Sequence, residues 1–154
     1  MTEPIIPPSM PNHGHPSNFG PAWIVLCLAL ALHVTDEALT DFLSVYNPTV
    51  ESIRQRLPFL PLPTFTFGMW LTGLILAVIV LLVLSRFAFR GATWMRPVAY
   101  GFSILMMANG LQHIASSIYK GQPMPGVYSS PVLLICSIYL LKRVWNGKSA
   151  ESPV

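Results

Sequence analysis

Apolar residues run almost without interruption through positions 22–44, 65–89, 94–119 and 128–145, and the stretches between them are short and rich in proline and glycine. At about 1.5 Å per residue, such runs suit a hydrocarbon core of about 30 Å. The pattern predicts four membrane-spanning helices. Between the first two runs, in YNPTVESIRQRLPFLPLPTF, Asn47 is placed to cap a helix and Pro48 suits its first turn. Val50, Ile53 and Leu57 share one face of that segment, which predicts a short amphipathic helix at the membrane interface. Pro58, Pro61 and Pro63 then break the chain, whereas Pro97 and Pro131 fall near the starts of the third and fourth spans, where a helix tolerates them. The turn-rich KGQPMPGV predicts an antiparallel hairpin of spans three and four. The expected fold is all-α, a four-helix transmembrane bundle with a short interfacial amphipathic helix. Its membrane domain covers residues 22–146. Residues 1–21, with no apolar periodicity, read as a solvated N-terminal tail in which His13 and His15 have no role, and 147–154 read as a C-terminal tail.

Two of the spans carry polar stripes. Positions i, i+3, i+4 and i+7 share a helix face, and this set is His33, Asp36, Glu37 and Thr40 in span one and Asn109, Gln112, His113 and Ser116 in span three. With four spans in alternation, spans one and three run in the same direction. Each stripe begins about a dozen residues, or roughly 18 Å, along its helix. The stripes therefore lie at similar depth, and His33, Asp36, Glu37, Asn109 and His113 are expected to converge on one site in the middle to outer half of the membrane. Span two has no ionisable residue before Arg86 and reads as scaffold, with Gly68, Thr72 and Gly73 permitting close helix contact. Trp23, Trp70, Trp94 and Trp145, near span ends, read as an aromatic belt.

Composition agrees with the membrane class: 53% of residues are apolar and 10% charged, against about 25% charged in soluble domains. The net charge of +3 comes without any basic run, which argues against a nucleic-acid partner. Cys27 and Cys136 lie inside apolar runs and indicate no disulfide framework. Arg86, Arg90, Arg96, Lys142, Arg143 and Lys148 fall on one side of the four spans, and Arg54, Arg56 and Lys120 on the other. The excess of positive charge predicts both termini in the cytoplasm of a multi-pass protein of the plasma (inner) membrane.

Ionisable side chains at membrane depth cost at least roughly 2.5–3.5 kcal/mol each, so their presence asks for a use. His33, Glu37 and His113 supply two imidazoles and a carboxylate, a donor set for a catalytic zinc or a non-haem iron. Asp36 is open to three roles: a fourth ligand, a partner that orients a histidine, or the general base. Without metal, Glu37 could move protons while Asn109 polarises an oxygen. These groups point to an enzyme acting on a lipid-like, amphiphilic substrate in a site lined by Leu30, Leu105 and Met106, with membrane lipid around it and the helix near Ile53 and Leu57 as a gate. Two other readings stand beside it: proton or cation translocation by an oligomer, and a structural protein whose polar residues hold helices together.

His33-Val34-Thr35-Asp36-Glu37 resembles the signature of the HXXEE-motif membrane proteins. Asn109-Gly110-Leu111-Gln112-His113, followed by Pro125-Gly126 and an apolar last helix, is similar to that family's second block. The resemblance covers nearly the whole chain after residue 21. Asp36 stands where the family usually has its first glutamate, and Pro123 and Ser129 stand where tyrosine and threonine are expected. The resemblance implies a site at His33, Glu37, Asn109 and His113, and it brings no reaction with it.

Overall fold

The structure, a computed structural model, describes residues 18–149. His13 and His15 lie outside the described residues. Five α-helices and no strands are described: α1 (Gly20–Leu39), α2 (Phe42–Arg56), α3 (Phe67–Phe89), α4 (Met95–Lys120) and α5 (Ser130–Ser149). Pro21 occupies the first turn of α1, where the missing N–H costs nothing. Thr66 caps α3 by accepting from the Met69 N–H, and Gly121 in the left-handed conformation ends α4. Phe19, just before α1, is fully buried against the helices.

The first helix ends sooner than its hydrophobicity suggests. Asp41 adopts a left-handed conformation, φ 55°, and the chain turns there. A new helix starts at Phe42, so Pro48 lies inside α2. Asn47 does not cap that helix. Its side chain reaches 18 residues along the chain, donating to the Phe65 carbonyl at 2.9 Å and accepting from the Phe65 N–H at 3.1 Å. This clasp satisfies both backbone groups of a residue that precedes α3 and would otherwise lack partners. Of the α2 residues only Val50 is fully buried.

The hydrogen bond from Trp23 Nε1 to the Leu81 carbonyl and the packing of Phe89 over Gly20 set α1 antiparallel to α3. The α4–α5 hairpin is the tightest helix pair, and an added Cβ at Gly110 would lie 3.2 Å from the Ser130 carbonyl oxygen. α1 packs mainly on α3 and α5 and touches α4 sparsely. The two polar stripes thus do not pack along their whole length, and of their members His33 and Glu37 meet His113.

Around an apolar core, α3 carries an apolar exterior and several polar side chains are buried. Met69, Ile75, Leu76, Ile79, Val80 and Val83 of α3 are exposed, while His33, Glu37, Ser103, His113, Ser129, Ser130 and Ser137 are buried. By length and composition α1 and α3 could each cross a membrane. Trp23 and Trp70 are core residues, whereas Trp94 and Trp145 are exposed, so only the latter pair fits an aromatic belt.

Candidate functional site

His33 and Glu37, one turn apart on α1, face His113 of α4. His113 Nε2 lies 3.1 Å from Glu37 Oε1, and His33 Nε2 lies 3.7 Å from the same oxygen. The two imidazole rings meet edge to face, 4.8 Å between centroids. All three side chains are buried.

The hydrogen-bond network assigns the tautomers. Pro125 O, 2.6 Å from His113 Nδ1, can only accept, so Nδ1 carries the proton. Ser129 donates its hydroxyl to Asp36 Oδ2 at 2.7 Å, and its oxygen then accepts from His33 Nδ1 at 2.8 Å. In the neutral form of each ring Nε2 is then left without a proton, and both Nε2 atoms are buried without a hydrogen-bond partner. Two nitrogen lone pairs and a carboxylate oxygen point at one another. Such an arrangement is unfavourable unless a cation or proton stands among them. A proton between His113 and Glu37 would leave His33 Nε2 unsatisfied, since 3.7 Å is too long for a hydrogen bond. One divalent cation would satisfy all three. The donor atoms lie within 4.8 Å of one another, and a tetrahedral zinc site with bonds of about 2.0–2.1 Å has ligand separations of roughly 3.3 Å. The outer nitrogens held by a carbonyl and by a hydroxyl–carboxylate pair match the way metal-ligating histidines are oriented.

Asp36 does not join this group. Its Oδ2 accepts from the backbone N–H and hydroxyl of Ser129, at the start of α5, where the unpaired N–H groups of a helix favour an anion. Thr40 accepts from the Gly126 N–H, and Ser117 links α4 to Met124, so the 121–129 turn is bound to both helices around the site. Asn109 and Gln112 lie on the wall of the adjoining cavity rather than in the trio.

That cavity, about 950 Å³, opens between α3 and α4 with α1 as its floor. Leu30, Leu105 and Met106 line it as the sequence predicts; Ile53 and Leu57 do not, and α2 contributes Phe42 instead. Its other wall is α3, including Trp70, Gly73, Ala77 and Leu81. Phe42 stacks on Trp70 and Tyr46 and lies 5.9 Å from the His113 ring, placing aromatic cover over the polar end. Sequence reasoning missed Ser129, Pro125 and this aromatic cover. The P-G turn was the available signal for Pro125, and the family resemblance, which puts a threonine at position 129, was the available signal for the Ser129 hydroxyl.

No curated protein and no solved structure matches the chain. A family model described as a protein of unknown function with HXXEE motif matches residues 23–140. That segment contains the α1 pair His33 and Glu37, the α4 histidine and the turn that orients it, and the chain belongs to the HXXEE-motif family.

Proposed function

We propose that the chain is a multi-pass membrane protein that holds a zinc or iron ion between His33, Glu37 and His113 and uses it in chemistry on an amphiphilic substrate. The observation that carries the reading is the pair of buried, unpartnered Nε2 atoms facing the Glu37 carboxylate. The apolar exterior of α3 supports a lipid surrounding, since a soluble monomer rarely exposes contiguous apolar surface beyond a few hundred Å². On this reading α4 and α5 cross with α1 and α3. Arg86, Arg90, Arg96, Lys142 and Arg143 then mark the cytoplasmic end, opposite the site.

Three protein ligands leave a coordination position free, and the cavity wall formed by His33 and Glu37 gives a substrate access to it. A bound ion would supply Lewis-acid polarisation of a substrate oxygen. The chain's own groups do the rest: Asn109 and Gln112 offer amide donors to a polar head, Phe42 and Trp70 exclude water, and Pro125 and Ser129 hold the histidines in orientation. A soluble metabolite would have to shed its hydration to reach Glu37, whereas a lipid could keep its chain in the cavity.

The same geometry favours this reading over its two rivals. Helix glue belongs where helices pack, yet the trio lies between α1 and α4, which touch sparsely. A proton relay needs further steps, and the buried residues of α1 before His33 are Leu30, Ala29, Cys27, Leu26, Trp23, Ala22 and Gly20, without an acid or imidazole.

Elemental analysis of protein purified in mild detergent tests the proposal. About one zinc or iron per chain, lost in Glu37→Gln and in His113→Ala, is expected; wild-type protein that takes up neither metal overturns it.

A further inference from the structure

The proposed centre says where chemistry would occur; the cavity says what would be held there. Resting on that reading, we infer that the cleft between α3 and α4 takes one linear long-chain acyl group, its carbonyl end at His33 and Glu37 and its tail toward Leu81 and Phe102, and that Gly73 and Ala77 make the room for the tail.

The polar lining of the cleft is confined to one end, where His33, Glu37, Asn109 and Gln112 lie; the remainder is apolar. His33 is fully buried, and its Nε2 is unpartnered at that end. From Trp70 to Leu81 the cleft follows α3 for eleven residues, or about 16 Å at 1.5 Å per residue. Half of a hydrocarbon core of about 30 Å is about 15 Å, so the cleft has the depth of one leaflet. An acyl chain lying in it keeps the orientation and depth it has in the bilayer.

Small residues one turn apart usually bring two membrane helices into contact. Gly73 and Ala77 do not serve that purpose here, because α3 touches α4 sparsely and a Cβ added at Gly73 meets no atom within 4 Å. They face open cleft, with Ala108 on the α4 wall. Gly73→Leu therefore puts a side chain into the tail path without touching a donor of the trio. Ala108→Leu narrows the same path from α4.

The test uses the full chain in mild detergent with a palmitic acid carrying a photoreactive diazirine near its tail end. Peptide mapping after illumination should place the label at Leu81 or Phe102, and unlabelled palmitate should compete it away. Gly73→Leu and Ala108→Leu should both lose the label while keeping wild-type helicity and metal content. Label retained in either variant when it is folded, or spread evenly over exposed α3 residues such as Ile79 and Val83, overturns the inference. Mass spectrometry of lipid carried through purification separates the sources of the chain, free fatty acid from glycerolipid ester, and a sterol alone would also overturn it. Metal-free protein that still labels at Leu81 would sink the proposed centre and leave the cleft standing.

Discussion

Asp36 accepts from Ser129 twice, from its backbone N–H at 2.8 Å and from its hydroxyl at 2.7 Å. The pair ties α1 to the first turn of α5 and leaves the Ser129 oxygen free to accept from His33 Nδ1. One hydroxyl thus joins a helix-end contact to the orientation of a candidate ligand. Ser129→Ala strands the His33 N–H in a buried place, at about 1–3 kcal/mol of stability. Metal affinity should fall about 10–100-fold, the usual effect of removing a ligand's outer partner. Ser129→Thr keeps the hydroxyl and should restore both. Thermal unfolding and zinc titration of the two variants measure this, and an alanine variant with wild-type affinity would remove Ser129 from the site.

The neighbouring acids should separate cleanly. Glu37→Gln preserves volume but removes the anionic donor shared by both histidines, so bound metal should be lost. Asp36→Asn weakens the α1–α5 tie and should lower the unfolding temperature while leaving metal bound. Metal content per chain is the measurement. Equal loss in both variants would indicate damage to α1 as a whole.

The parts of this molecule that repeat with helical period were legible in the sequence, and the parts made by single bends were not. His33 and Glu37 announce a shared face, and a second stripe that includes His113 gives them a partner. The end of α1 leaves no such trace: Leu39-Thr40-Asp41-Phe42 holds neither glycine nor proline, yet the chain turns at Asp41. Asn47-Pro48 has the chemistry of a helix start, but the Asn47 amide is taken by the Phe65 backbone, a tertiary contact that local pattern cannot encode. The cleft wall on α3 was hidden for a different reason. A helix that is apolar on all sides has no periodicity to say which face meets a partner and which meets an opening.

Asp41 itself offers a sharp test of that bend. Left-handed backbone costs an ordinary residue roughly 1–2 kcal/mol, least for Gly, Asn and Asp. Asp41→Gly should be neutral or stabilising, and Asp41→Val should destabilise by about that amount and more, since β-branching worsens the clash. Both should keep their metal, because Asp41 is exposed and outside the trio. Unfolding in detergent with parallel metal analysis checks both halves of the statement.

Orientation can be read by single cysteines in a background lacking Cys27 and Cys136. If the four long helices cross the bilayer, a cysteine at Arg90, in the α3–α4 turn, and one at Lys120, at the end of α4, lie on opposite sides. A membrane-impermeant thiol reagent applied to intact cells should reach the second and not the first. Labelling of both positions from outside would contradict the four-span arrangement.

Gly126 provides the most direct link between backbone and site. Its φ of 82° disfavours any side chain, and a Cβ built there would lie 3.0 Å from both Nδ1 and Cε1 of His113 and 3.1 Å from Cγ of Glu37. These atoms belong to the buried trio, so they have little room to give, and Pro125 O fixes the same ring from the adjacent residue. Gly126→Ala should therefore push the His113 ring off its position and lose bound metal, while the helices remain. Backbone strain alone needs a control, and Gly121 supplies it: its φ is 65°, and an added Cβ meets nothing within 4 Å. Gly121→Ala should carry a comparable conformational cost, about 1–2 kcal/mol, and keep its metal. Metal loss in both variants would trace the effect to strain in the turn; loss in Gly126→Ala alone would trace it to the contact with His113 and Glu37.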